Sequence, residues 1–73
     1  MKNIDDFNLT KSEWVALIDE RVIGKNAERN RLILKRRLLD GICYEPLAEE
    51  FDLSVQQTKT IVYKCTEKLI KYL

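Results

Sequence analysis

Gln56, Gln57, Lys59, Thr60, Tyr63 and Lys64 lie within one nine-residue stretch. They supply two amides, two ammonium groups, an aliphatic hydroxyl and a phenol. A glutamine amide carries a donor and an acceptor side by side, the pattern that pairs with the N6/N7 edge of adenine. Lysine reaches O6 and N7 of guanine or a phosphate, and hydroxyls donate to phosphate oxygens. On a helix of 3.6 residues per turn, Gln56, Lys59, Thr60, Tyr63, Lys64, Glu67 and Lys71 share one face. Val55, Thr58, Ile61, Val62, Cys65, Leu69 and Tyr72 share the other. A helix divided in this way can bury one side and offer the other to the major groove of double-stranded DNA. From Leu53 to Thr66 there is no acidic residue, which suits a surface facing phosphates.

Several of these side chains have a plainer reading beside the chemical one. Gln57 stands three residues after Ser54, the spacing of a capping box, so its amide can serve the helix start in place of an adenine edge. Gln56 has no such duty and is the better candidate base reader. Lys59 and Lys64 contact phosphate or guanine, or are solvated charges. Tyr63 is a phosphate donor or an ordinary exposed ring. The run Lys35-Arg36-Arg37 points in three directions on a helix and reads as a solvated face, with Arg36 or Arg37 free to approach a phosphate or an acidic partner.

Other chemistries have little support. The chain has no histidine, and its two cysteines, Cys43 and Cys65, are too far apart for a Cys-x-x-Cys pair. There is no glycine-rich phosphate loop and no evident carboxylate pair for acid–base work. The expectation is a binding protein and not an enzyme, with no cofactor and no metal.

The elements that position these residues follow from helical periodicity, which runs through the whole chain. The longest helix is expected from Val55 to Tyr72, with Ser54 and Gln57 as its capping box. Before it, a short helix from Tyr44 to Phe51 turns Leu47, Ala48 and Phe51 inward and ends at Asp52-Leu53-Ser54. A short helix, a tight turn and a longer capped helix make a helix-turn-helix over 44–72, in which the second helix meets the groove. Upstream, a helix over 27–40 is expected, capped by Asn26 and closed by Gly41, with Ala27, Leu34 and Leu38 on one apolar face and Leu32 and Leu39 on another. The first helix is expected over 11–23. Thr10 and Glu13 form its capping box, Trp14, Leu17, Ile18 and Val22 its apolar stripe, and Gly24 its stop. The fold class is therefore all-α, one four-helix domain spanning 1–73.

With 73 residues, 45% hydrophobic and 34% charged, the chain has the composition of an ordinary globular domain with a small core. No apolar run approaches the ~18 residues of a membrane span, and Met1 to Asp6 is polar and acidic, unlike a secretory signal. A cytoplasmic protein that makes no membrane contact is expected. The formal net charge is +1, but residues 1–24 hold three basic and five acidic side chains, a net of −2, while residues 25–73 hold ten and seven, a net of +3. The charge is polarised along the chain.

Glu28-Arg29-Asn30-Arg31-Leu32-Ile33-Leu34, Leu38-Leu39-Asp40-Gly41, Tyr44-Glu45-Pro46-Leu47-Ala48, Ser54-Val55-Gln56-Gln57 and Ile61-Val62-Tyr63-Lys64 form a recognisable series. With Glu67-Lys68-Leu69, these residues resemble region 4 of the sigma-70 family over about two-thirds of the chain. They resemble more closely its small stand-alone relatives in bacterial mobile elements and phages. The resemblance implies a helix-turn-helix whose second helix reads the −35 promoter element, with Gln56, Lys59, Thr60 and Tyr63 facing the groove. It implies transcription regulation, with RNA polymerase as a further partner. Cys43 stands where the family has a Thr cap, Asp52 where Gly or Asn is common, Thr58 where an aliphatic residue packs, and Gln56 where Arg is typical. The module that melts the −10 element has no place in 73 residues, so an isolated DNA- or polymerase-binding module is implied. A monomer would bind DNA weakly, which calls for a homodimer or recruitment by a larger complex. The rival reading is a protein-interaction module that binds RNA polymerase or a sigma factor without DNA specificity of its own.

Overall fold

Thr10 caps the first helix from both sides. Its hydroxyl accepts from the Glu13 backbone N–H (3.2 Å), and its own N–H donates to the Glu13 carboxylate (3.1 Å). The bond from the Thr10 N–H, with a smaller contribution from the Thr10 hydroxyl, holds the Glu13 carboxyl below its ordinary range. The structure is a computed structural model and describes residues 9–71. Along it run α1 (Lys11–Arg21), α2 (Ala27–Leu34), a π-helical turn (Lys35–Leu39), α3 (Tyr44–Glu50) and α4 (Val55–Lys71). The described residues form four α-helices and no strand. The radius of gyration is 11.6 Å, that of a compact chain of this size. Tyr72, expected on the apolar face of α4, lies outside the described residues.

One core joins all four helices. Trp14, Ile18 and Val22 come from α1 and its end, Ile33 and Leu34 from α2, Leu47 from α3, and Val62, Cys65 and Leu69 from α4. Each fully buried aliphatic side chain contributes about 2 kcal/mol over an exposed one. Thr58 is also fully buried. Its hydroxyl donates to the Ser54 carbonyl (2.9 Å), so the polar atom enters the core with its hydrogen bond made. Burial raises the Cys65 thiol above its ordinary pKa by desolvation, against a smaller opposing effect of Lys68 and Arg29.

The upstream half departs from expectation in four places. First, α1 ends at Arg21 and not at residue 23, because Val22 leaves the helix in an extended conformation (φ −85°, ψ 96°). Arg31 Nε then donates to the Val22 carbonyl (2.7 Å) and ties the end of α1 to α2. Gly24 (φ +95°) serves the following turn, where its carbonyl accepts from the Ala27 N–H. Second, Asn26 precedes α2 with left-handed backbone (φ 62°) and makes no side-chain cap bond. Third, the helix expected over 27–40 loosens after Leu34 into a π turn, closed by Asp40 N–H donating to the Lys35 carbonyl (3.3 Å). Fourth, Leu32, expected in an apolar face, is 48% exposed, while Ile33, absent from that expectation, is fully buried.

The downstream half follows expectation closely. Cys43 precedes α3 without a side-chain bond. Between α3 and α4, Asp52 takes the left-handed conformation (φ 55°), and Leu53 N–H donates to the Ala48 carbonyl (2.8 Å). Ser54 then opens α4 with a reciprocal cap: Ser54 N–H donates to Gln57 Oε1 (3.0 Å), and Gln57 N–H donates to Ser54 Oγ (3.1 Å). Ile70, placed by its spacing among the outward polar residues of α4, is half-buried.

Candidate nucleic-acid interface

The inward residues Thr58, Val62, Cys65 and Leu69 fix the rotation of α4 about its axis, since they recur at three- and four-residue intervals and all are buried. Their burial sends Gln56, Gln57, Tyr63 and Lys64 to the exposed side, with Lys59 and Thr60 half-buried at its margins. The six candidates therefore belong to one helix surface. From Gln56 to Lys64 that surface is about 12 Å long at 1.5 Å per residue, close to the ~12 Å width of a B-DNA major groove. Asp52 precedes the strip and Glu67 lies on the same side beyond it, so acids mark both its ends.

The groups on the strip are not equally free. Gln57 holds the cap through its amide oxygen, which leaves its amide NH₂ as the available end. Thr60 donates its single hydroxyl proton to the Gln56 carbonyl (2.9 Å). Gln56 keeps its side-chain amide without an intramolecular hydrogen bond.

Residues from other elements complete the surface. Arg37 lies with its guanidinium carbon 4.3 Å from the centroid of the Tyr44 ring. Its Nη1 also donates to the Ile42 carbonyl (3.1 Å). The ammonium of Lys59 is 5.7 Å from the same ring centroid. Tyr63 meets Tyr44 edge to face, centroids 6.3 Å apart and planes at 79°, and is itself 61% exposed. On the other flank of the strip, Arg29 of α2 joins Leu53, Gln56, Gln57, Thr60 and Ile61 around an open depression. Arg29 is hydrogen-bonded to Asn30 Oδ1 (3.2 Å from both Nε and Nη2).

The ion pairs sort the cations into two groups. Lys11 pairs with Asp40 (3.8 Å), Arg21 with Glu20 (3.7 Å), Lys35 with Asp19 (2.7 Å) and Arg36 with Glu50 (2.7 Å). Among the described residues no ion pair engages Lys25, Arg29, Arg31, Arg37, Lys59, Lys64, Lys68 or Lys71, and of these Arg29, Arg37, Lys59 and Lys64 stand around the N-terminal half of the exposed side of α4. The run 35–37 does fan out in three directions, as its helical spacing implies. It is not simply a solvated face, however, because each member has an intramolecular partner.

No family model matches the chain, and no curated protein or solved structure matches it.

Arg29 and Tyr44 were not legible as site residues, and Arg37 was legible only as a cation free to approach a phosphate or an acidic partner. Arg37 and Tyr44 come together across the π turn and the 40–43 connection, which local periodicity does not describe. Arg29 reaches α4 only because α2 packs alongside it.

Proposed function

We propose that α3 and α4 form a helix-turn-helix and that the protein binds double-stranded DNA as a transcription regulator of the sigma region 4-like type. In this reading the exposed strip of α4 enters the major groove. Gln56 reads a base edge. Tyr63, Lys64 and Lys59 hold phosphates, joined by Arg37 and Arg29 from the neighbouring helix. Gln57 contributes through its free amide NH₂ while its oxygen keeps the helix capped.

The observation that carries the reading is the distribution of unpaired cations. Of the described cations outside ion pairs, Arg29, Arg37, Lys59 and Lys64 gather around one uncovered, acid-free stretch of helix, while the ion pairs lie elsewhere. Phosphate contacts made by such a set release condensed counterions, so affinity should fall steeply with salt.

The test is selection of bound duplexes from a randomised DNA pool at low salt, with the Gln56/Lys59/Thr60 triple-alanine variant alongside. Enrichment of one motif, lost in the variant, is the expected result, and a palindromic motif would add a homodimer. Failure of the folded protein to enrich any sequence or to bind duplex DNA would reject the reading in favour of a module that docks on RNA polymerase or a sigma factor.

A further inference from the structure

Resting on that DNA-binding reading, the geometry points to one element of its sequence preference: we infer that the depression beside Gln56 and Thr60 seats the C5-methyl group of a thymine. Two independent observations lead there. The first is the hydroxyl of Thr60. Its only proton is donated to the Gln56 carbonyl, 2.9 Å away, so it cannot be donated to a base. Thr60 retains the acceptor lone pairs of its oxygen and, free of any hydrogen-bonding duty, its γ-methyl. The second is the lining of the depression, where the half-buried side chains of Leu53 and Ile61 lie between the polar Gln56, Gln57 and Thr60.

An apolar recess on a groove-facing surface has one natural occupant among the base edges. Of the four bases only thymine presents a methyl group in the major groove, and threonine methyls are among its usual contacts. A water-filled recess would leave Leu53 and Ile61 hydrated, whereas a thymine methyl removes that surface from water. Arg29, on the rim of the same depression, then lies on the side from which the adjoining phosphate approaches, and its cation matches that charge. The neighbouring Gln56 amide stands beside the seated methyl and reads the adjacent base pair. Thr60 is thus a specificity-determining residue that acts through its carbon and not through its oxygen.

The test starts from a duplex selected by the full-length chain and replaces each thymine in turn by uracil, which lacks only the methyl group. At one position affinity should fall about fourfold, the worth of one methyl removed from water. Thr60→Val, which keeps the γ-methyl and puts a second methyl in place of the hydroxyl, should preserve that discrimination. Thr60→Ser, which keeps only the hydroxyl, should narrow it. Selective binding with no loss at any thymine would overturn the methyl seat and leave the DNA reading standing, as would full discrimination in Thr60→Ser. Absence of any duplex binding would reject the DNA reading, and the methyl seat with it.

Discussion

Arg37 lies over Tyr44, its guanidinium carbon 4.3 Å from the ring centroid, and the opposite demands of the two groups are met together. The cation gains a polarisable face without an acid to neutralise it, and the ring is held where Tyr63 can rest edge-on against it, 6.3 Å between centroids. Tyr44→Leu should lower the unfolding free energy by about 1 kcal/mol, from loss of the cation–π and aromatic contacts. Arg37→Gln should reduce the slope of log affinity against log salt by about 0.9, one phosphate contact. Denaturant titration and salt-dependent duplex binding measure the two effects, and an unchanged slope would remove Arg37 from the interface.

Gln57 has a structural and a recognition role that substitution can separate. Glu at this position keeps an oxygen acceptor for the Ser54 N–H and suits the first turn of a helix. Gln57→Glu should therefore leave the denaturation midpoint nearly unchanged while weakening DNA binding through charge repulsion. Ser54→Ala should cost about 1 kcal/mol of stability. Equal DNA affinity for Gln57→Glu and wild type would show that Gln57 only caps.

Thr58 is a polar residue in the core whose removal is expected to be mild. The Ser54 carbonyl accepts from both the Thr58 hydroxyl and the Thr58 N–H. Thr58→Val leaves that carbonyl satisfied and should change stability by less than about 1 kcal/mol. Thr58→Ala opens a small cavity and should cost more than the valine does. A loss well above 1 kcal/mol in Thr58→Val would mean that the hydroxyl holds the start of α4.

Asp52 occupies the left-handed region at φ 55°, a conformation costing an ordinary residue about 1 kcal/mol. Asp52→Gly should stabilise by about 0.5 kcal/mol after the added flexibility of the unfolded chain is counted. It also removes an acid at the edge of the strip, so DNA affinity should rise. A fall in thermal midpoint would indicate that the Asp52 side chain supports the turn.

Cys65 and Cys43 should differ in reactivity and in their effect on pH dependence. Burial favours the neutral Cys65 thiol, so its folded pKa lies above that of the unfolded chain. The stability it contributes is complete below the ordinary thiol range and is lost as pH rises from that range through the raised folded value. Cys65→Val should flatten the fall in denaturation midpoint across this alkaline window. A thiol reagent at neutral pH should label exposed Cys43 rapidly and Cys65 only on unfolding. Rapid labelling of both would place Cys65 in a region that opens freely.

Local rules reached furthest where local interactions decide the structure. The reciprocal caps at Thr10–Glu13 and Ser54–Gln57 follow from residues three apart and form as spacing implies. The inward face of α4 follows from its periodicity. What escaped was decided by packing between elements. Ile33 is buried and Leu32 exposed because the face of α2 turned to the core depends on where α1 and α4 lie, and both residues are equally apolar in sequence. Arg21 ends α1 because Val22 turns to meet Arg31 nine residues on. The site divides in the same way: the α4 strip was legible and Arg37 was named as free to approach a phosphate, whereas Arg29 and the Tyr44 ring enter only across tertiary contacts.

The π turn at Lys35–Leu39 closes its hydrogen bond five residues back in place of four, so it carries one residue more than an α-helical turn. In coding terms it is an insertion kept inside a helix. The residues after it are shifted in phase by about 100° relative to α2, and within the turn itself Lys35 and Arg36 bind acids on two different helices while Arg37 turns to an aromatic ring. Deleting one residue from this turn would let a continuous α-helix run on to Asp40 with its hydrophobic residues still available. The same deletion would re-aim the cation on Tyr44. A single codon thus separates a chain that merely folds from one whose Arg37 stands beside α4.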